Sequence, residues 1–205
     1  MVDFNKLKTY EKFVPERIQH PFLPDEIKVS FQPLIKPKKT KDHEQDDLLT
    51  GSAMIRKMVK QYFGHQVDLH ITKNEKPKAY CNGREISVSF SHTSKALSAA
   101  ISEQFFVGCD MESVSRNVSP GLIKRIKEKE ESNVLYSEIE PIRIWTLKES
   151  ALKMIGTGLR RPMNSIRIEQ LEPDLFSVEF FNKKRSKICS FKYQEHWITI
   201  CYQEK

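Results

Sequence analysis

The stretch WTLKESALKMIGTGL, residues 145–159, combines a helical apolar pattern with an acid and two lysines. Trp145, Glu149 and Lys153 recur at four-residue intervals and therefore share one stripe of a helix, whereas Leu147 lies elsewhere around the cylinder. A surface Glu–Lys pair at this spacing is common and stabilises a helix by only about 0.2–0.5 kcal/mol. The tryptophan on the same stripe indicates instead that this face of the helix is partly covered.

Two further carboxylates stand in the apolar run FFVGCDME, residues 105–112. In a strand, Asp110 and Glu112 project from one face, and Cys109 and Met111 project from the other. Carboxylates on one face repel each other unless a cation or a basic group lies between them. Mg²⁺ suits such a pair because it takes oxygen ligands and keeps positions for water or phosphate oxygens. A strand end that emerges into solvent is the plainer explanation of a lone Asp-x-Glu.

Ser91 and His92 end the alternating strand VSFSH, residues 88–92. A hydroxyl and an imidazole can both donate hydrogen bonds to phosphate oxygens. A strand-to-turn exit with a capping serine is the alternative. The two residues do not form a catalytic dyad, because neighbours in a strand point to opposite faces.

Helix ends are marked by capping residues elsewhere in the chain. The segment that starts at Asp46 has helical periodicity and stops at Gly64. Ser119 followed by Pro120 is typical of a helix start. Pro141 opens the helix that contains the quoted stretch.

Strands dominate the remaining segments. The apolar runs 96–102 and 105–112 flank a short polar turn and predict a hairpin. Short alternating runs after Gly158 predict a terminal antiparallel sheet, and the proline-rich first forty residues indicate irregular structure with short strands. Helix-rich and strand-rich segments alternate twice, which permits a quasi-duplicated α+β fold.

Composition limits the partners and the location. The 205-residue chain has a formal net charge of +7, which favours anionic partners such as nucleic acid, phosphate-rich cofactors or acidic proteins. It has no run of about 20 apolar residues and no signal-type start, so we expect a cytoplasmic protein without a membrane anchor. Its four cysteines and six histidines show no paired-ligand spacing, which leaves oxygen ligands for any metal.

The dipeptide SH at 91–92, the segment GCDME at 108–112 and the stretch 145–159 occur in a recognisable order and spacing. Together they resemble the three signatures of the 4'-phosphopantetheinyl transferases, and in particular the long, Sfp-type class of that family. The resemblance covers residues 88–159 well, whereas the flanks match loosely. It implies an α+β fold of two similar α/β halves related by a pseudo-twofold axis, residues 1–103 and residues 104–205.

The same resemblance implies an activity. Members of the family move the 4'-phosphopantetheine group of coenzyme A onto a serine of an apo acyl or peptidyl carrier protein, with Mg²⁺, and release 3',5'-ADP. Coenzyme A then lies in the cleft between the halves, and the enzyme acts as a monomer. Carrier proteins are typically acidic around the modified serine, so a basic chain would favour the encounter.

The resemblance also implies roles for individual residues, according to their positions in the three signatures. Asp110, Glu112 and Glu149 resemble the ligands of the magnesium ion. Glu149 also lies where the family has its general base. Lys153 resembles the cation that contacts the coenzyme A phosphates and neutralises the charge of the leaving group.

Four more positions resemble coenzyme A contacts. Ser91 and His92 match the phosphate-contacting pair. Lys76 falls in the family's Gly-Lys-Pro segment, where Glu75 replaces the glycine, and would contact the nucleotide. Arg56 resembles the arginine at the end of the family's LLGxxLLR helix, although Asp47 and Leu48 stand just upstream where the family often has an Arg or Thr that contacts coenzyme A. The 3'-phosphate contact has further candidates in Lys36, Lys38, Lys39 and Lys41.

Two other classes of function compete with this hypothesis. A magnesium-dependent nuclease also uses strand carboxylates and a lysine, but such sites usually place the lysine two positions after the second acid, and here that position is Val114. A non-enzymatic nucleic-acid-binding module would explain the charge and the pair Phe105–Phe106. It gives no reason for acids that converge on one site.

Overall fold

Two antiparallel sheets form the centre of the fold. The computed structural model describes residues 15–34, 43–70 and 75–205, with residues 43–50 described by their backbone alone. The strands of the first sheet are β1 (Glu16–Ile18), β2 (Lys28–Pro33), β3 (Asp68–His70), β4 (Lys78–Cys81), β5 (Arg84–His92) and β6 (Ala96–Ser102). They lie in the order β1-β2-β6-β5-β4-β3. The strands of the second sheet are β7 (Phe105–Ser113), β8 (Arg167–Glu172), β9 (Leu175–Glu179), β10 (Arg185–Tyr193) and β11 (His196–Glu204), in the order β7-β11-β10-β9-β8.

Helices cover the outer faces of the two sheets. They are α1 (His43–Phe63), α2 (Pro120–Ile126), α3 (Asn133–Glu138) and α4 (Pro141–Met154), followed by 3-10 turns at Gly158–Arg160 and Met163–Ser165. An apolar stripe of α1 packs on the first sheet, and an apolar stripe of α4 packs on the second. A third cluster lies between the sheets and joins Val29 and Phe31 of β2 with Ile198 and Ile200 of β11. The second sheet is therefore buried on one face by the first sheet and on the other by α4.

The helix ends predicted from capping residues are confirmed. Gly64 follows α1 with a φ of +71°, and its N–H donates to the Lys60 carbonyl at 3.1 Å. Ser119 caps α2 by accepting a hydrogen bond from the Leu122 N–H at 3.3 Å. Pro141 is the first residue of α4. The terminal antiparallel sheet, β8 to β11, is also confirmed.

The predicted hairpin between residues 96–102 and 105–112 is wrong. β6 pairs with β2 and β5, whereas β7 pairs with β11 in the other sheet. Ser102 Oγ accepts hydrogen bonds from the N–H groups of Gln104 and Phe105, so the turn is tight although the chain crosses between sheets. β6 is buried along its whole length and β7 is buried over Val107–Met111, and a continuous apolar run does not reveal which strand will be its neighbour.

The mixed α and β composition with two antiparallel sheets agrees with the predicted fold class. The first sheet ends at Ser102 and the second begins at Phe105; the pseudo-twofold axis and the division into residues 1–103 and 104–205 stay predictions. All four cysteines are free and buried. Within the described ranges, every helix is too short or too polar to cross a bilayer.

Candidate active site

Gly108 allows α4 to lie directly against β7. A Cβ atom added at this position would be 2.1 Å from the Ser150 carbonyl oxygen and 2.4 Å from the Met154 nitrogen. Because real Cβ contacts are never so short, only glycine permits this approach of helix and strand. The approach brings the carboxylates of β7 next to the polar stripe of α4.

The polar stripe predicted for α4 is confirmed. Beyond Pro141, the partly exposed residues of this helix are Trp145, Glu149 and Lys153, and those between them are buried. The predicted faces of β7 are confirmed as well, since Cys109 belongs to the core between the sheets. Three carboxylates from two separate segments thus lie near one lysine; we call Asp110, Glu112 and Glu149 the acidic cluster.

Asp110 is the most constrained member of the acidic cluster and is only 3% exposed. Its Oδ1 atom accepts hydrogen bonds from Lys153 Nζ at 2.8 Å and from Ser91 Oγ at 2.9 Å. Among the described residues, its buried Oδ2 atom has no hydrogen-bond partner. One oxygen is therefore fixed in place while the other is left for a group that the described residues do not supply.

Glu149, on α4, also has a carboxylate oxygen without a hydrogen-bond partner among the described residues. Its Oε2 atom is buried and finds no hydrogen-bond donor in the described part of the chain. Burial raises the pKa of Glu149 to about 7; Lys153 opposes this shift, and the charges of Asp110 and Glu112 add to it. At neutral pH the side chain is thus close to its titration midpoint, where a general base is most effective.

Glu112 lies at the open end of the acidic cluster. Burial, together with the charge of Asp110, raises the pKa of Glu112, and Arg116 partly compensates. Arg116 forms an ion pair with Glu112 Oε1, and its guanidinium lies 5.6 Å from the centre of the Trp145 ring. Trp145 therefore stabilises the position of Arg116 through a cation–π contact, and Arg116 in turn pairs with Glu112.

Lys153 is the cation of the site. Burial alone would lower the pKa of Lys153, but the adjacent carboxylates of Asp110 and Glu149 outweigh burial and raise it. The lysine therefore stays protonated at neutral pH. Lys153 and Arg116 together face three carboxylates, which leaves one excess negative charge once Glu149 is ionised.

The acidic cluster fits a divalent cation at two of its oxygens. Asp110 Oδ2 and Glu149 Oε2 are buried carboxylate oxygens without donors among the described residues, and such oxygens are the ligands that Mg²⁺ prefers. No set of three His, Cys, Asp or Glu side chains in the described ranges already has metal-binding geometry. Glu112 can become the third ligand through Oε2, which accepts no hydrogen bond from Arg116, or through Oε1 if its ion pair with Arg116 opens.

Ser87, Ser89 and Ser91 form a row on β5 that seals the free edge of β7. Ser87 Oγ accepts a hydrogen bond from the Val107 N–H at 2.9 Å, and Ser89 Oγ accepts one from the Cys109 N–H at 2.8 Å. The row continues into Ser91, which donates to Asp110. Only Ser91 is among the predicted site residues, although the alternation of serines in SVSFS places all three on one face of a strand.

The other residues predicted to contact coenzyme A lie in different surroundings. His92 is the exposed last residue of β5. Arg56 donates to the Val67 carbonyl at 2.9 Å, so its guanidinium lies at the connection between α1 and β3. Lys76 is half-buried and donates to backbone carbonyls. Lys36, Lys38, Lys39 and Lys41 lie outside the described residues.

A cleft of about 740 Å³ opens between β1 and the start of α4, at the opposite end of this helix from Lys153. Four of the charged groups that line it pair with one another, Arg143 with Asp174 at 2.8 Å and Lys192 with Glu140 at 2.8 Å. Groups that already neutralise each other do not select a ligand, so the acidic cluster is the stronger candidate for chemistry.

Lys148 is a residue that sequence analysis missed. It is completely buried, and its Nζ donates to both carboxylate oxygens of Glu131, at 2.7 and 2.8 Å. The carboxylate also accepts hydrogen bonds from the Tyr136 hydroxyl and from the Ile168 N–H. This ion pair holds α4 to β8 and to the loop before α3, directly beside Glu149. The indication in the sequence is that Lys148 lies on the apolar face of the helix and not on the polar stripe of Trp145, Glu149 and Lys153.

We expect Lys148→Met to lower the free energy of unfolding by about 3–5 kcal/mol, because the Glu131 carboxylate is left buried without its cation. The measurement is urea denaturation followed by circular dichroism. Lys192→Met is the matched control, since its ion pair with Glu140 is exposed and such pairs contribute about 0–1 kcal/mol. Equal losses in the two variants would contradict the role of Lys148.

Comparison with known families points to the same part of the chain. Residues 106–201 match the family model of the 4'-phosphopantetheinyl transferase superfamily. The match covers slightly less than half of the 205 residues and includes β7, α4 and most of the second sheet. No curated protein matches the chain. The segment that carries the acidic cluster and Lys153 is therefore similar to that superfamily.

Proposed function

We propose that the protein transfers the 4'-phosphopantetheine group of coenzyme A to a serine hydroxyl of an apo acyl or peptidyl carrier protein, in a magnesium-dependent reaction that releases 3',5'-ADP. The observation that carries this proposal is the pair of buried oxygens, Asp110 Oδ2 and Glu149 Oε2, that lack donors among the described residues. They lie beside a protonated lysine, inside the segment that matches the superfamily.

Asp110 and Glu149 would hold the magnesium ion, and Glu112 would join them through Oε2, the oxygen that Arg116 does not hold. Bound Mg²⁺ would neutralise the charge of the coenzyme A diphosphate. Phosphoryl transfer depends mainly on alignment and charge stabilisation, so the protein needs few reactive groups of its own. The rigid position of Asp110, held by Ser91 and Lys153, supplies such alignment.

Glu149 acts as the general base. Burial raises its pKa to about 7 in the metal-free site, and a bound cation would lower that pKa and keep the carboxylate ionised, ready to take the proton from the carrier serine directly or through a water molecule. The serine oxygen then forms a bond to the phosphorus that bears the pantetheine arm, and the bond from this phosphorus to the bridging oxygen breaks. The bridging oxygen leaves with 3',5'-ADP.

Lys153 supplies the positive charge for this step. Its side chain is about a quarter exposed while its Nζ holds Asp110, so it can also face a phosphate group at the mouth of the site. His92, exposed at the end of β5, is the second donor proposed for the phosphates. Ser91 supports the site through Asp110.

The partner class follows from charge. The chain carries a net charge of +7, which complements the acidic surface expected of a carrier protein for fatty-acid, polyketide or peptide synthesis. We propose that the enzyme acts as a cytoplasmic monomer.

A transfer assay tests the function. The protein is incubated with coenzyme A, Mg²⁺ and several apo carrier proteins, and each carrier is weighed by mass spectrometry. The proposal requires that at least one carrier gains a single phosphopantetheine arm, and that the gain disappears with EDTA. A parallel incubation with supercoiled plasmid tests the nuclease alternative. Cleaved plasmid together with unmodified carriers would refute the transferase and support a nuclease.

We expect Asp110→Ala to weaken the binding of Mg²⁺ and of coenzyme A together, by at least about tenfold each, because both share its free oxygen. Isothermal titration calorimetry of both ligands measures this. Glu169→Gln, which changes an exposed carboxylate on β8, is the control and should leave both affinities unchanged. Normal coenzyme A binding by Asp110→Ala, in the presence of Mg²⁺, would rule out the shared site.

A further inference from the structure

Lys76 connects the first sheet to both elements that carry the acidic cluster. Its Nζ donates to Ser87 Oγ of β5 at 3.3 Å, to the Val107 carbonyl of β7 at 2.9 Å and to the Met154 carbonyl of α4 at 2.9 Å. A lysine ammonium has three N–H donors and no acceptor. All three donors are therefore used inside the protein, and none is left for a phosphate of a bound nucleotide.

The Met154 carbonyl needs this donor. The last four carbonyls of an α-helix lack partners within the helix and must be satisfied from outside. In α4 the three carbonyls before Met154 accept backbone N–H groups that follow the helix, in the pairs Ala151–Ile155, Leu152–Thr157 and Lys153–Gly156. Met154 accepts from Lys76 instead. The positive charge also lies at the negative end of the helix dipole, where it is favourable.

The segment that follows α4 leaves room for the aliphatic part of the Lys76 side chain. Gly156 has a φ of +76°, and a Cβ atom added there would lie 3.3 Å from the Cβ of Lys76. Glycine at this position both adopts the left-handed backbone and leaves room for the lysine. Burial lowers the pKa of Lys76 to about 8, and the ammonium is thus retained at neutral pH.

We propose that Lys76 is a positioning residue that fixes the last turn of α4 against β7, and thereby sets Lys153 and Glu149 above Asp110. Lys153 is the residue next to the anchored Met154, so a shift of the last turn moves its ammonium directly. The inference rests on the proposed function. It assigns Lys76 a role other than the nucleotide contact that the family resemblance implies.

Steady-state kinetics of Lys76→Met separates the two roles. Loss of positioning lowers kcat by about 10²-fold, because a displacement of about 1 Å at a reacting centre has such an effect, while KM for coenzyme A and the Kd for 3',5'-ADP change much less than kcat does, because Lys153 is displaced but still present. Lys78→Met, an exposed lysine in the same segment, is the matched control and keeps wild-type kinetics. A raised KM and a weakened Kd for 3',5'-ADP with normal kcat would overturn the proposal in favour of a nucleotide contact. Unchanged kinetics would overturn it as well.

Hydrogen exchange tests the anchor without any turnover. In Lys76→Met the amides of Ile155, Gly156 and Thr157 should exchange at least about tenfold faster than in the wild type or in Lys78→Met, because the end of α4 opens locally. Unchanged exchange overturns the proposal even if activity falls. If the wild type transfers no phosphopantetheine, the proposed function fails while this measurement still decides the role of Lys76. Lys76→Gln, which keeps one donor group, replaces Lys76→Met if the latter does not fold.

Discussion

Glu149→Gln is expected to lower turnover by about 10²–10⁴-fold, because the substitution removes the general base together with one cation ligand. Glutamine has nearly the same shape, so the fold should survive and only the chemistry should suffer. The measurement is the rate of carrier modification at saturating coenzyme A and Mg²⁺. Turnover within about threefold of the wild type would refute both roles of Glu149.

Thermal unfolding of the metal-free protein in EDTA separates loss of chemistry from loss of fold. The pKa of Glu149 is raised to about 7 in the folded protein from the ordinary value of 4.5, so the folded state binds this proton more tightly than the unfolded chain does. The associated stability is present below about pH 4.5 and is lost as the pH rises through 7. Between pH 5 and pH 8 the wild-type Tm should therefore fall relative to that of Glu149→Gln. A Tm difference that is independent of pH would show that Glu149 is not buried in the way described.

Local periodicity predicts the parts of the site that lie on single elements. Alternation in a strand places Asp110 and Glu112 on one face, and the four-residue spacing of a helix places Glu149 and Lys153 on one stripe. The capping signals of α2 and α4 are equally local. These predictions are confirmed because backbone geometry alone determines which side chains share a face.

Contacts between distant segments do not follow from such patterns. Lys76 and Met154 are separated by 78 residues, and no periodicity in either segment indicates the other. The family resemblance implies that Lys76 contacts the nucleotide. The three acceptors of its ammonium inside the protein are seen only in the folded structure. The same limit explains the wrong hairpin, since an apolar run of a doubly buried strand carries no information about its partner.

The buried pair of Lys148 and Glu131 shows a further limit. Charged residues are almost never fully buried unless they are paired, so a lysine in a helix is expected to reach solvent. Lys148 departs from this expectation because Glu131, 17 residues earlier, meets it inside the core. The pair lies one residue from Glu149, and the helix that carries the proposed base is thereby held at a fixed rotation.

Gly108→Val is expected to have the largest effect on folding, a loss of more than about 4 kcal/mol or failure to fold, which exceeds most core substitutions. A Cβ atom at position 108 would lie 2.1 Å from the Ser150 carbonyl oxygen and 2.4 Å from the Met154 nitrogen, so the obstacle is backbone of α4 that no rotamer change can move aside. The helix must lift from β7, which also separates Glu149 from Asp110.

Gly108→Ala gives the graded version of this test, and Gly121→Ala gives its control. The control glycine is the second residue of α2, and apart from its own helix and chain neighbours no described atom lies within 4 Å of an added Cβ, so Gly121→Ala should be neutral or should stabilise the protein by about 0.4–1 kcal/mol. Chemical denaturation of the three variants should thus rank them Gly121→Ala, Gly108→Ala, Gly108→Val in falling stability. Asp110 and Glu112 lie on β7, whereas Glu149 lies on α4. Because a change in the distance between the two elements separates these carboxylates, any folded Gly108→Ala protein should bind Mg²⁺ more weakly than the wild type. Wild-type stability and metal affinity in Gly108→Ala would mean that the helix and strand are not in contact at this point.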